Sequence, residues 1–220
     1  MRIHRESTTT LLLTGGIAIA ATVLLLVLPA APQWYHYLLM VPGWALFALM
    51  VNFFRNPERP CPPQPGAVIA PCDGKVVVIE EVDAPAPMTG RVLQVSIFMN
   101  PLNVHVNRSP VQGTVLHQEY KPGKYLMAFD PKSSTLNEQT WLVMQDAHTG
   151  QQLGLKQIAG FLARRVVCYA KAGSTYAQGQ EFGFIKLGSR VDLLLPLSAK
   201  VQVQLGQKTR GAETLLATLA

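Results

Sequence analysis

The sequence predicts a β-dominated (α+β) protein, with an N-terminal membrane helical hairpin followed by a β-rich domain. Three observations predict it. Two uncharged apolar runs fall within the first 54 of 220 residues. Five prolines between Pro57 and Pro65 then stiffen a connector. Beyond residue 67, short β-branched and alternating runs are punctuated by Gly, Pro and Asp, the pattern of many short strands.

The first apolar run, Leu11 to Leu28, has about the length that crosses hydrocarbon. The second, Leu38 to Phe54, contains Pro42 and Asn52. The linker from Pro29 to Tyr37 carries Trp34, Tyr35 and Tyr37, which suit the headgroup region. Arg2 and Arg5 precede the first run, and Arg55 and Arg59 follow the second. The positive-inside bias therefore puts both ends on the cytoplasmic side. A cleaved signal peptide is disfavoured by the length of the first run and the presence of a second. A hairpin dipping into one leaflet stays open. The expected division is a hairpin over 1–54, a connector over 55–66 and a β-rich domain over 67–220.

Within that domain, strands are expected at Val68–Ala70, Lys75–Val82, Arg91–Met99, Val104–Asn107 and Gly113–Gln118. Further strands follow at Gln139–Gln145, Gln157–Gly160, Val166–Tyr169, Phe182–Leu187, Val191–Leu195 and Lys200–Leu205. Asp73-Gly74 and Lys121-Pro122-Gly123 read as turns, Asp83–Gly90 as a loop and Gly173–Gln180 as a polar turn region. Tyr125–Asn137 reads as loop or short helix, and the C-terminal tail is uninformative.

Residues 55–220 hold 17 of the 19 Lys and Arg and 12 of the 13 acidic residues, a net charge of +5. Such a domain is attracted to anionic lipid when held near a membrane. No dense basic stripe with interleaved aromatics is present, which disfavours nucleic acid as a partner. Cys61, Cys72 and Cys168 are odd in number and unclustered, fitting a reducing compartment and no metal site. No Gly-x-Gly-x-x-Gly, P-loop, Cys-x-x-Cys or His-Glu-x-x-His occurs. A catalyst without a cofactor motif makes its own electrophile or works by acid/base chemistry alone.

Gly188-Ser189 sits in a break between two expected strands. Gly188 permits backbone geometry that other residues avoid, and Ser189 puts a hydroxyl beside the Gly188 carbonyl. With an adjacent base, a strained Gly-Ser amide is open to attack by the serine oxygen. By itself, Gly-Ser after a strand is an ordinary turn. His105 lies between Val104 and Val106. If those valines face the core, His105 faces a surface or cleft, where an imidazole moves protons near neutrality. His4 and His36 are poorly placed; His117 and His148 are substitutes. Asp73, by default a turn former, would orient the histidine in a triad. The order Asp73, His105, Ser189 occurs in serine hydrolases, but there is no Gly-x-Ser-x-Gly elbow.

Taken together, six ordered segments resemble the phosphatidylserine decarboxylase proenzymes, in their short bacterial and archaeal-like branch with a Gly-Ser-Arg variant. They are Phe54–Arg59, Ala70–Val76, Phe98–Arg108, Tyr120–Gly123, Asn137–Gln139 and Lys186–Arg190. The resemblance implies a catalytic domain like a barrel-sandwich hybrid. It implies self-cleavage between Gly188 and Ser189 into a β chain (1–188) and an α chain (189–220). Ser189 would attack with His105 as base and Asp73 orienting it, and would become the pyruvoyl cofactor. The implied reaction turns phosphatidylserine into phosphatidylethanolamine and carbon dioxide, with His105 as proton donor. The implied partners are the lipid, the membrane and the two cleaved chains as a heterodimer, compatible with a dimer of that pair. The implied location is the bacterial inner membrane with the domain on its cytoplasmic side. Archaetidylserine-type lipids are compatible with the same motifs.

Two departures from the better-known branch matter. Arg190 follows Ser189 where that branch has Thr, and Arg108 stands near the place of its second histidine. His105 is thus expected to serve both processing and decarboxylation. Arg108, Lys186, Arg190 and Asn103 are candidates for substrate binding. The alternatives are a membrane-anchored serine hydrolase using Asp73, His105 and Ser189, and a non-catalytic lipid-surface module.

Overall fold

The computed structural model describes every residue except 1, 30, 129, 131, 162–164 and 187. Leu187 at the end of an expected strand, Ala30 in the expected linker, and Phe129 and Pro131 in the expected loop thus lie outside the described residues. The chain divides into two compact units, Met1–Glu58 and Arg59–Ala220.

The first unit is a helical hairpin, α1 (Thr8–Val27) and α2 (Trp34–Phe53). Both helices are long and apolar enough to cross a membrane. Leu12, Leu13, Leu38 and Leu39 are exposed. The helices approach through small residues: Gly43 lies against Ala18, and Gly15 against Phe47. Trp44 Nε1 donates to Thr22 Oγ1 at 3.0 Å. The second helix begins earlier than its apolar run, because Gln33 and His36 form a reciprocal cap that takes Trp34–Tyr37 into the first turn. Two short strands, β1 (Arg2–Ile3) and β2 (Arg55–Asn56), pair antiparallel. This pairing joins the two ends of the hairpin on one side.

The second unit opens with β3 (Ala67–Ile69), β4 (Gly74–Asp83), β5 (Arg91–Met99), β6 (Val106–Arg108) and β7 (Gly113–Lys121). A short helix, α3 (Ser133–Leu136), lies in the 125–137 region. Then come β8 (Gln139–Asp146), β9 (Gln152–Ile158), β10 (Val166–Cys168), β11 (Thr175–Tyr176), β12 (Glu181–Ile185) and β13 (Ser189–Pro196). The chain closes with β14 (Lys200–Val201), β15 (Lys208–Thr209) and β16 (Leu215–Thr218). Among the described residues these strands form three sheets. The largest runs β11-β7-β8-β9-β13-β5-β4-β15, and the smaller ones run β10-β12-β6 and β14-β16-β3.

β13 is central, flanked by β5 and β9. Its run Val191-Asp192-Leu193-Leu194-Leu195 is buried throughout. Val191, Leu193 and Leu195 join the main core with Val95, Ile97 and Met99. Leu194 packs on the other face with Trp141 and Val143. Burying each leucine stabilises the domain by roughly 1.5–3 kcal/mol.

Several boundaries differ from expectation. The strand expected at Gln157–Gly160 is the end of β9, which begins at Gln152. Gly154 obscured it. That glycine is required because a side chain there would run into the Trp141 ring. The Lys200–Leu205 strand shrinks to Lys200–Val201. The uninformative tail is β16, paired with β3. The β13 strand begins at Ser189 rather than Val191, so Ser189 is already held in a ladder opposite Met99.

Candidate active site

The chain changes sheets around residues 186–188. β12 belongs to one three-stranded sheet and β13 to the large sheet. Gly188 makes the crossing with φ +69°, in the left-handed region that favours glycine. Space alone would tolerate a side chain there, since a Cβ would sit 3.5 Å from Pro101. The backbone geometry is what selects glycine.

His105 reaches this point through strand pairing. β6 pairs with β12, with Val106 opposite Phe184, and the Ile185 amide donates to the His105 carbonyl at 3.3 Å. The imidazole therefore lies beside the end of β12. Its Nδ1 contacts the Asn103 carbonyl at 2.9 Å, and its Nε2 accepts the Gly188 amide proton at 3.2 Å. A carbonyl can only accept, so Nδ1 carries the proton and Nε2 presents a lone pair. His105 is fully buried and precedes β6. The expectation that it would face a surface cleft is corrected: Val104, His105 and Val106 are all buried, because the irregular backbone before β6 breaks the alternation.

Ser189 is also fully buried. Its Oγ donates to Met99 Sδ at 3.3 Å. A thioether is a weak acceptor, so this contact orients the hydroxyl without holding it strongly. Asn107 Nδ2 shares the same sulfur at 3.8 Å, and Asn107 Oδ1 takes a hydrogen bond from Gln157. The segment from Met99 to His105 thus brackets the Gly188–Ser189 bond, with Met99 on the hydroxyl, Pro101 beside Gly188 and His105 on its amide. A turn at Asn100–Asn103, in which Asn103 donates to the Asn100 carbonyl, closes the bracket.

Asp73 is not brought to His105. Its two carboxylate oxygens take hydrogen bonds from Arg59 at 2.5 and 2.8 Å, and Oδ1 also accepts from the Gly211 amide at 2.8 Å. The pairing to Asp73 raises the Arg59 pKa against the opposing effect of burial. Arg108 stands in this same group. Burial lowers its pKa first, with Arg59 adding to the effect and Asp73 opposing it. Its Nη1 donates to the Gly179 carbonyl at 3.2 Å. The group on His105 Nδ1, where Asp73 was expected, is the Asn103 carbonyl. Asp73 joins the start of the domain, Arg59, to the 211 turn. The other histidines lie elsewhere: His36 caps α2, His117 is near Glu119 and His148 is in the Asp146 turn.

Alternation along β13 turns Arg190 to the face opposite Ser189. There it is buried, with Nε on Asp192 at 2.5 Å and Nη2 on Ser96 at 2.8 Å. Ser134 donates to the other Asp192 oxygen at 2.6 Å, tying α3 to β13. A cavity of about 440 Å³ adjoins this network, lined in part by Arg190, Lys156, Gln94, Ser134 and Glu80. Burial lowers the Lys156 pKa, with Asp192 opposing. Asn103 contributes its carbonyl. Lys186 is half-buried and its amide donates to Arg165 at 3.1 Å. Sequence reasoning missed Met99 and Arg59 as partners. Both lie within the matching segments, but only the fold reveals what they touch.

A buried serine, a glycine in left-handed geometry and an imidazole lone pair at one peptide bond are suited to acyl transfer within the chain. Among the described residues, no three His, Cys, Asp or Glu side chains cluster to hold a metal ion.

Comparison with known proteins gives the following similarities. The family model described as phosphatidylserine decarboxylase matches residues 46–217. A phosphatidylserine decarboxylase proenzyme of Cytophaga hutchinsonii is 50% identical over 179 residues, 81% of each chain. That of Chlorobaculum parvum is 48% identical over 188 residues, 82% of this chain and 86% of its own. That of Cupriavidus pinatubonensis is 46% identical over 180 residues, 81% of this chain and 82% of its own.

Proposed function

The chain belongs to the phosphatidylserine decarboxylase family, and from that premise we propose that it cleaves itself between Gly188 and Ser189 and works through a pyruvoyl group made from Ser189. It is an enzyme, a decarboxylase made as a proenzyme that converts phosphatidylserine to phosphatidylethanolamine and carbon dioxide. The observation that supports the site assignment is the 3.2 Å contact between His105 Nε2 and the Gly188 amide, next to the buried hydroxyl of Ser189.

The self-cleavage balances as follows. The Ser189 hydroxyl exchanges its contact with Met99 for one with His105 Nε2 and gives up its proton there. Oγ then bonds to the Gly188 carbonyl carbon, the Gly188–Ser189 C–N bond breaks, and His105 returns the proton to the Ser189 nitrogen. An amide has become an ester without loss of atoms. Removal of the Ser189 α-proton expels the Gly188 carboxylate from Cβ. Water then releases the nitrogen as ammonia. Residues 1–188 form the β chain, and 189–220 form the α chain with its pyruvoyl end.

The fit of this group to its surroundings follows from β13. The residue that bears it begins a central strand, so the new terminus stays held by β5 and β9 after the cut. When formed, the pyruvoyl group supplies an electron sink for loss of carbon dioxide from the serine head of the lipid. His105, with its Nδ1 fixed on Asn103, is the residue placed to hold and return a proton there. Arg190 is committed to Asp192 and Ser96, which supports a role in holding β13 rather than in binding lipid phosphate. Arg108 and Lys186 are the remaining candidates for the anionic headgroup.

The hairpin is assigned as the membrane anchor, with both ends and the catalytic unit on the cytoplasmic side of the inner membrane. Pairing of β1 with β2 supports ends on a common side. Tethering raises the effective concentration of a bilayer substrate at the site. A stable serine hydrolase is the weaker reading, because Asp73 is engaged by Arg59 and the triad lacks its third member.

Intact mass and denaturing electrophoresis of the folded chain test the proposal. Two pieces joining at 188/189 are expected, the smaller carrying a carbonyl that reacts with hydroxylamine or borohydride. An intact junction in folded, catalytically active protein would overturn it.

A further inference from the structure

We infer that Gly160 is the seat of the Gly188 carbonyl, a positioning residue that self-cleavage requires to be glycine. The inference rests on the self-cleavage reading above. It starts from the register of β9 and β13, where Ile158 pairs with Arg190 and Gln157 with Val191. Continuing that antiparallel register past both strand ends brings Gly160 opposite Gly188. No ladder pair forms there among the described residues. Instead Gly188, in its left-handed conformation, lays its carbonyl against the Cα of Gly160.

A Cβ built on Gly160 would collide with the Gly188 carbonyl oxygen. It would also stand 3.4 Å from the Gly188 carbonyl carbon and 3.2 Å from Ala128 Cβ. Gly160 does not itself have a left-handed φ. Its own conformation therefore does not call for glycine; the approach of the carbonyl does.

The seat is held from its other side. The Ala159 amide donates to the Glu138 carbonyl at 2.8 Å. Asn137 Nδ2 donates to the Ala159 carbonyl at 2.8 Å, while the same side chain pairs with both backbone groups of Leu126. Asn137 and Glu138 were legible in the sequence as a segment without a chemical task. Here they fix the backbone on which the reacting carbonyl rests.

The consequence for the reaction is geometric. Ser189 Oγ must approach the face of the Gly188 carbonyl carbon, and the direction of the C=O bond decides whether it can. A methyl at residue 160 pushes the oxygen away and rotates that bond. Misplacement of a reacting group by about 1 Å costs about 100-fold in rate.

The test uses the full-length chain in membranes. Appearance of the 1–188 and 189–220 pieces is timed per folded molecule, and the folding of each variant is read by thermal melting in an uncleavable Ser189→Ala background. Gly160→Ala is expected to cleave about 100-fold more slowly than wild type. Adding Ala128→Gly, which vacates the other neighbour of the new methyl, is expected not to restore the rate. Hydroxylamine, which cuts an ester but not an amide, is expected not to release the pieces from Gly160→Ala, because the ester does not form. Cleavage of Gly160→Ala at the wild-type rate, rescue by Ala128→Gly, or hydroxylamine-dependent cutting each overturns the inference while leaving self-cleavage standing. An uncut wild-type chain overturns both.

Discussion

His105 and Gly188 are 83 residues apart in the chain, yet the imidazole Nε2 accepts the Gly188 amide proton at 3.2 Å. Pairing of β6 with β12 brings them together, and the Asn103 carbonyl fixes the tautomer that makes the contact possible. The Gly188–Ser189 bond is thus flanked by an imidazole nitrogen on one side and a buried hydroxyl on the other.

If that contact is the base for self-cleavage, Ser189→Ala leaves a single uncut chain and His105→Gln slows cleavage by about 10²–10⁴-fold, the usual worth of a positioned acid/base group. Time-resolved electrophoresis measures both. Cleavage of His105→Gln at the wild-type rate would remove His105 from the mechanism.

Asp73 yields a different expectation. Its pair with Arg59 has side chains only 6% and 13% exposed, and removing one partner of a buried pair costs about 3–5 kcal/mol. Asp73→Asn is therefore expected to lower the melting temperature markedly, with any loss of cleavage following the loss of fold. Unchanged melting with slowed cleavage would restore Asp73 to a triad with His105.

Gly188→Ala forces a methyl-bearing residue into φ +69°, at a cost of roughly 1–2 kcal/mol. Relief of that strain turns the carbonyl out of its present position. Slower cleavage with near-native melting is expected. A rate equal to wild type would show that the left-handed geometry is not needed.

The thiols predict an alkaline limit to stability. Burial raises the Cys168 pKa to about 11 from 9.0, with a backbone contact to Ala170 opposing. Between those values the unfolded chain has released the proton and the folded chain has not, so stability falls as pH rises. The contribution is fully present below about pH 9 and lost by about pH 11, at most about 2 kcal/mol after allowance for partial exposure. Cys168→Ala is expected to flatten that part of the stability curve, measured by urea unfolding in the Ser189→Ala background. An identical slope in the variant would assign the effect elsewhere.

The hairpin predicts partition. The full-length chain is expected to stay in the membrane pellet after an alkaline carbonate wash, and a chain starting at Arg59 to be released. Release of the full-length chain would mean that the two apolar helices do not hold it in the bilayer.

Much of the fold was legible because its signals are local. Uncharged runs and flanking arginines mark the hairpin, and β-branched runs between Gly and Pro mark most of β4, β5, β7 and β8. Legibility failed where a residue's role depends on a distant neighbour. The start of β9 around Gly154 does not read as strand in the sequence, and only the Trp141 ring lying against Gly154 explains a glycine inside it. The tail seemed featureless until β3 paired with β16.

The amino-acid sequence by itself determined the class of the protein and the apolar hairpin, and singled out Gly188, Ser189 and His105 as candidates, because periodicity, composition and ordered motifs are properties of the chain alone. Tertiary structure decided who touches whom. Sheet pairing put His105 on Gly188 and Met99 on Ser189, the loops at 59, 73 and 211 gave Asp73 to Arg59, and strand alternation turned Arg190 to the opposite face. None of these contacts can be read from the order of residues alone, because a hydrogen bond forms only where the packed backbone brings donor and acceptor within reach.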